Sequence, residues 1–79
     1  MPNKEVNEKH QKLMGKIGDE LRKLRESKGL NIQDMAKELK MSRNGYSKME
    51  RGLVYYNIST LLDILQYHDE SIKNFISKL

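Results

Sequence analysis

Apolar residues recur along the chain at helical spacing and almost nowhere in strict alternation. Leu13, Ile17, Leu21 and Leu24 form one stripe, at intervals of four, four and three. The spacing predicts a first helix to about Lys28, ended by Gly29 with Lys28 in its last turn. Its start is open, because Gly15 and Gly18 weaken the middle. Residues 1–12 are polar and charged, and are expected as an extension that is partly helical or frayed. Residues 13–79 are expected to form the domain.

Four further helices follow from capping residues placed ahead of apolar positions. Asn31 caps the second, with Asp34 three residues on and Met35, Ala36 and Leu39 inward. Lys40 and Met41 make a turn. Ser42 caps a third helix that runs to Arg51 and stops at Gly52. Leu53 to Tyr56 make an irregular link. Asn57 caps a fourth helix with Ile58, Leu61, Leu62 and Leu65 apolar, and Ser71 caps a fifth with Ile72, Phe75, Ile76 and Leu79. The fold class expected is all-α.

Composition narrows the function. With 79 residues the chain is one domain, and its core is marginal for its size. There is no cysteine, so neither disulfides nor thiolate metal sites add stability. Tight helix packing or pairing with a second chain must do so. The longest apolar run is Leu53 to Tyr56, too short to cross a membrane, and the N-terminus has no apolar core for a signal peptide. A cytoplasmic location is expected. Net charge is +4 with pI ≈ 9.4, which suggests a polyanion partner. Residues 1–52 hold 13 basic and 8 acidic side chains, whereas residues 53–79 hold 2 and 3. The positive field belongs to the first two thirds.

The third helix is the most informative segment. At about 100° per residue, Arg43, Ser47, Arg51, Asn44 and Lys48 fall within about 140° of one another, opposite Tyr46 and Met49. Such side chains hydrogen-bond base edges and phosphates, and no acid lies on their face. An ordinary amphipathic surface helix is the plainer account, and the missing acid argues against it.

From Ile17 to Leu79 the sequence resembles the lambda-repressor-like Cro/CI (XRE) helix-turn-helix family. The resemblance is carried by Leu24-Arg25, Lys28-Gly29-Leu30, Met35-Ala36, Leu39, Ser42-Arg43, Met49-Glu50-Arg51-Gly52, Thr60-Leu61-Leu62, Ile64 and Ser71-Ile72. Each motif alone is weak, while the ordered set without a gap is strong. It implies a five-helix domain with its helix-turn-helix at the second and third helices, the third lying in the DNA major groove. Arg43, Asn44, Ser47 and Lys48 match the base-facing positions. Asn31, Gln33, Ser42, Arg51 and Tyr55 are expected at phosphates. Arg25 and Glu50 match a salt-bridging pair. Three positions depart from the pattern: Ile32 where the family usually has Gln, Lys40 where it has a turn glycine, and Tyr46 where it has a buried aliphatic.

No phosphate-loop, dinucleotide, zinc-protease or esterase signature occurs, and His10 and His68 lack partners at ligand spacing. No metal, cofactor or enzymatic activity is expected. His68 is expected to interact with the dipole of the fourth helix. Met35 and Met49 sit at core spacing. The reading is a sequence-specific transcription regulator that binds double-stranded DNA as a homodimer on a palindromic operator, of the phage-repressor or restriction–modification-controller kind. The dimer contact is expected at Leu65, Tyr67, Ile72, Phe75, Ile76 and Leu79. Two alternatives remain. One is an antitoxin whose protein partner is a toxin held by Met1 to Lys16, and the other is an interaction module that has lost DNA binding.

Overall fold

The computed structural model describes residues 5–79. Five helices follow one another: α1 (Gln11–Ser27), α2 (Ile32–Glu38), α3 (Arg43–Glu50), α4 (Ile58–Tyr67) and α5 (Ile72–Ser77). A single 3-10 turn, Glu8–His10, leads into α1. Apart from one isolated antiparallel bridge between Glu5 and Val54, the described residues hold no β-structure. The fold is all-α, as the spacing and the resemblance imply.

Each helix after α1 begins on a side-chain cap. Asn31, Ser42, Asn57 and Ser71 accept from the amides of Asp34, Gly45, Thr60 and Asn74. At α2 the Asp34 carboxylate also accepts from the Asn31 amide, closing a reciprocal capping box. These caps satisfy donors that short helices leave open, and four of the five helices have ten residues or fewer.

The core is built from Leu21, Met35, Ala36, Tyr46, Met49, Val54, Ile64, Leu65 and Phe75. Ile17, Leu24, Leu30, Leu39 and Leu79 pack around it. Leu13, at the amino end of the α1 stripe, is exposed instead.

Two backbone approaches set how the helices meet. A Cβ at Gly18 would collide with the carbonyl oxygen of Glu50 and lie 2.7 Å from its carbonyl carbon, so α1 crosses the end of α3 where only glycine fits. Gly52 has φ +69, and a Cβ there would meet the Gly15 nitrogen at 2.7 Å. The α2–α3 turn keeps a left-handed residue although that residue is a lysine: Lys40 has φ 56. The departure from glycine costs about 1–2 kcal/mol without altering the turn.

The N-terminal segment is partly built into the domain. Residues 1–4 of the expected extension lie outside the described residues. Val6 is buried, Glu5 pairs with Val54, and the Asn7 side chain caps the 3-10 turn.

Candidate nucleic-acid interface

α3 turns Tyr46 and Met49 into the core and leaves Arg43 and Asn44 exposed, with Ser47 and Lys48 half-buried beside them. Arg51, the C-cap residue, is exposed on the same side. None of these five side chains makes a hydrogen bond or ion pair among the described residues. Their donors are free for an outside acceptor. Glu50, the only acid of α3, is buried and turned away.

Glu50 is taken up by Arg25. The Arg25 Nε and Nη2 groups donate to the two carboxylate oxygens at 2.7 and 3.0 Å, and Nη1 donates to the Leu30 carbonyl at 2.8 Å. The side chains are 11% and 5% exposed. This two-pronged pair ties α1 to α3 and anchors the α1–α2 connection as well. The hydrogen bond with Glu50 raises the Arg25 pKa further above its ordinary value. The Tyr46 hydroxyl lies buried near Glu50 without closing a hydrogen bond, and burial with the adjacent carboxylate drives its pKa up.

The amino ends of α2 and α3 meet in a shallow concavity lined by Arg25, Asn31, Ile32, Gln33 and Arg43. Ile32 packs toward the core, and Gln33 and Arg43 line the concavity together. Asn31 and Ser42 use their side-chain oxygens as caps. The Asn31 side-chain NH2 group and the Ser42 hydroxyl proton remain available to an anion, alongside the uncapped amides of the α2 end.

Lys48 and Arg51 line a second cleft, with Gln11, Gly52, Leu53, Val54, Glu5 and Val6. Tyr55 is engaged differently from its expected phosphate contact. Its hydroxyl accepts from the Asn7 amide at 3.1 Å and lies 2.6 Å from His10 Nδ1. The described part of the N-terminal segment already occupies it.

The residues expected at a dimer contact divide. Leu65 and Phe75 are buried inside the monomer at 2% and 1% exposure, so they support the surface rather than form it. Leu79 is half-buried against the core. Tyr67 is half-buried and carries the Lys28 ammonium 4.6 Å above its ring. Ile72 and Ile76 are exposed, and so are Ile58 and Leu62 on α4. Leu62 and Ile72 line one groove between the two helices.

His68 departs from the expected dipole interaction. It caps α4 with both ring nitrogens buried and unpartnered, and burial, followed by the nearby Lys28, lowers its pKa. Desolvation outweighs the attraction of the helix end. Among the described residues there is no cluster of side chains fit to hold a metal ion, and no helix long and apolar enough to cross a membrane.

Three structural residues escaped the sequence reading. Val54 pairs by backbone with Glu5, next to the buried Val6, and no local period marks either valine. Gly18 was readable in part, because a glycine inside an apolar helical stripe often marks close backbone approach.

Residues 16–71 match the helix-turn-helix domain family. Among solved structures, the chain is similar to the clp gene regulator ClgR from C. glutamicum, with a TM-score of 0.74 and 23% identity over 84% of this chain and 86% of that one. That likeness is one of fold. No curated protein matches the chain.

Proposed function

The chain belongs to the helix-turn-helix domain family, of the Cro/CI type, and we propose that it regulates transcription as a homodimer on a palindromic operator. Membership places it among DNA-binding regulators rather than enzymes. The observation that carries the reading is the outer face of α3, where Arg43, Asn44, Ser47, Lys48 and Arg51 have no partner among the described residues while the neighbouring acid is consumed by Arg25. Arg43 suits the O6 and N7 acceptors of guanine, and Asn44 suits adenine. Asn31, Gln33 and Ser42 suit phosphates at the flanking helix ends, with Lys48 and Arg51 further along.

A two-fold site needs a second chain. The longest dimension of the domain is 31 Å, and successive major-groove half-sites lie roughly 34 Å apart. Ile72 and Ile76, with Ile58 and Leu62, offer the apolar surface for it. The antitoxin reading gains no support, since Glu5 to His10 are engaged within the chain rather than free for a toxin.

Binding to random duplex DNA at rising salt tests the DNA claim, and sedimentation of Ile76→Asp tests the dimer. The expected results are a steep loss of affinity with salt, a wild-type dimer, and a folded Ile76→Asp monomer that binds operator weakly. No binding at low salt would return the domain to a pure interaction module. A wild-type monomer at high micromolar concentration would refute the dimer.

A further inference from the structure

The segment Glu5–His10 precedes the residues that match the family, yet it is attached to the loop that follows α3 at three points. Glu5 pairs by backbone with Val54. Val6 is buried at 9% exposure. The Asn7 amide donates to the Tyr55 hydroxyl at 3.1 Å, and that hydroxyl lies 2.6 Å from His10 Nδ1, with the two rings edge to face. A hydroxyl that accepts from Asn7 and donates to His10 uses each group once. Val54 is itself buried, so the loop is fixed from both sides.

Two residues of the same segment, Glu5 and Val6, line the cleft that Lys48 and Arg51 also line. Arg51 ends α3 and is followed by the left-handed Gly52, whose neighbour Leu53 returns its amide to the Lys48 carbonyl at 3.0 Å. The loop that begins at Leu53 is thus tied back to α3 beside Lys48 and Arg51, which links the hold on Tyr55 to the part of the cleft they line.

We propose that Glu5–His10 is a positioning strap for DNA binding, which through Tyr55 fixes the loop after α3 and so holds Arg51, beside Lys48, in place for a backbone phosphate. Tyr55 is then a positioning residue and does not itself touch DNA. The proposal rests on the DNA-binding reading.

Tyr55→Phe in the full chain removes the hydroxyl and keeps the ring. It should leave the helical circular-dichroism signal intact and abolish exchange protection at the Asn7 amide. It should weaken operator and random duplex alike, and lower the salt slope by about one contact, roughly 0.9 in log–log units. A purely structural role would lower the melting temperature but leave that slope unchanged at temperatures well below melting. Combined with Arg51→Ala, the two losses should not add. Val6→Asp, which undocks the segment at its apolar end, should reproduce the effect. An unchanged affinity and slope after protection at Asn7 is lost, or full additivity with Arg51→Ala, would overturn the strap while leaving DNA binding standing. A wild-type protein that binds no DNA would overturn both, and protection persisting at Asn7 would then locate the failure in the DNA reading rather than in the docking.

Discussion

Glu50→Ala should destabilise the domain severely. The substitution removes both acceptors of the Arg25 fork and leaves a guanidinium, in a side chain only 11% exposed, bonded to the Leu30 carbonyl alone. Two charge-assisted hydrogen bonds of about 1.5–3 kcal/mol each set one scale for the loss. Breaking one side of a buried ion pair, about 3–5 kcal/mol, sets another and agrees with it. At roughly 0.05–0.15 kcal/mol per residue, a chain of 79 residues has only about 4–12 kcal/mol to lose. A loss of about 3 kcal/mol lowers the melting temperature by at least about 12 °C in a domain of this size. Thermal melts followed by circular dichroism measure it. Arg25→Met with Glu50→Leu should recover much of the loss, because an apolar pair leaves no charge stranded. A Glu50→Ala melt within two or three degrees of wild type, about 0.5 kcal/mol by the same scale, would refute the reasoning.

Gly18→Ala should be strongly destabilising, since its Cβ would strike the backbone of Glu50, whereas Gly15→Ala meets nothing within 4 Å and should stabilise by about 0.5–1 kcal/mol. Paired chemical-denaturation curves compare the two, and equal effects would remove the helix-crossing argument. Burial, followed by the nearby Lys28, lowers the His68 pKa in the fold, so below its ordinary value the unfolded chain binds more protons than the folded one. Stability should be flat above about pH 6.5 and decline as pH falls below it. Glu70, whose pKa is lowered chiefly by its hydrogen bond with Lys78, adds a further decline below its ordinary range. His68→Phe should flatten the upper part of that pH profile, and a slope unchanged between pH 6.5 and 5 would contradict the assignment.

Much of this architecture was legible because its signals are local. Asn31, Ser42, Asn57 and Ser71 announce helix starts through hydrogen bonds made within three residues. Gly29 and Gly52 announce ends through a left-handed backbone. The polar face of α3 follows from helical period alone. What stayed hidden depends on distant partners. Glu5 and Val54 pair across most of the chain, and Asn7 and Tyr55 are 48 residues apart, and nothing near either end signals these contacts. The stripe on α5 fixed the period but not the burial. Phe75 turns into the core while Ile76, one residue on, stays 57% exposed, a split set by how α5 leans on its neighbours. His68 sits at a helix end, where its sequence position suggests charge. The surrounding packing withdraws the water that charge requires.

Selection of bound sequences from random duplex DNA, run with the wild-type chain and with Arg43→Ala, tests the central claim that α3 reads bases in a two-fold assembly. The account predicts an inverted repeat whose half-sites lie about 10 base pairs apart, centre to centre. It further predicts that Arg43→Ala keeps the repeat but loses preference at one position per half-site, at about 1–3 kcal/mol. No enriched sequence, a single unpaired half-site, or an Arg43→Ala pattern identical to wild type would contradict it.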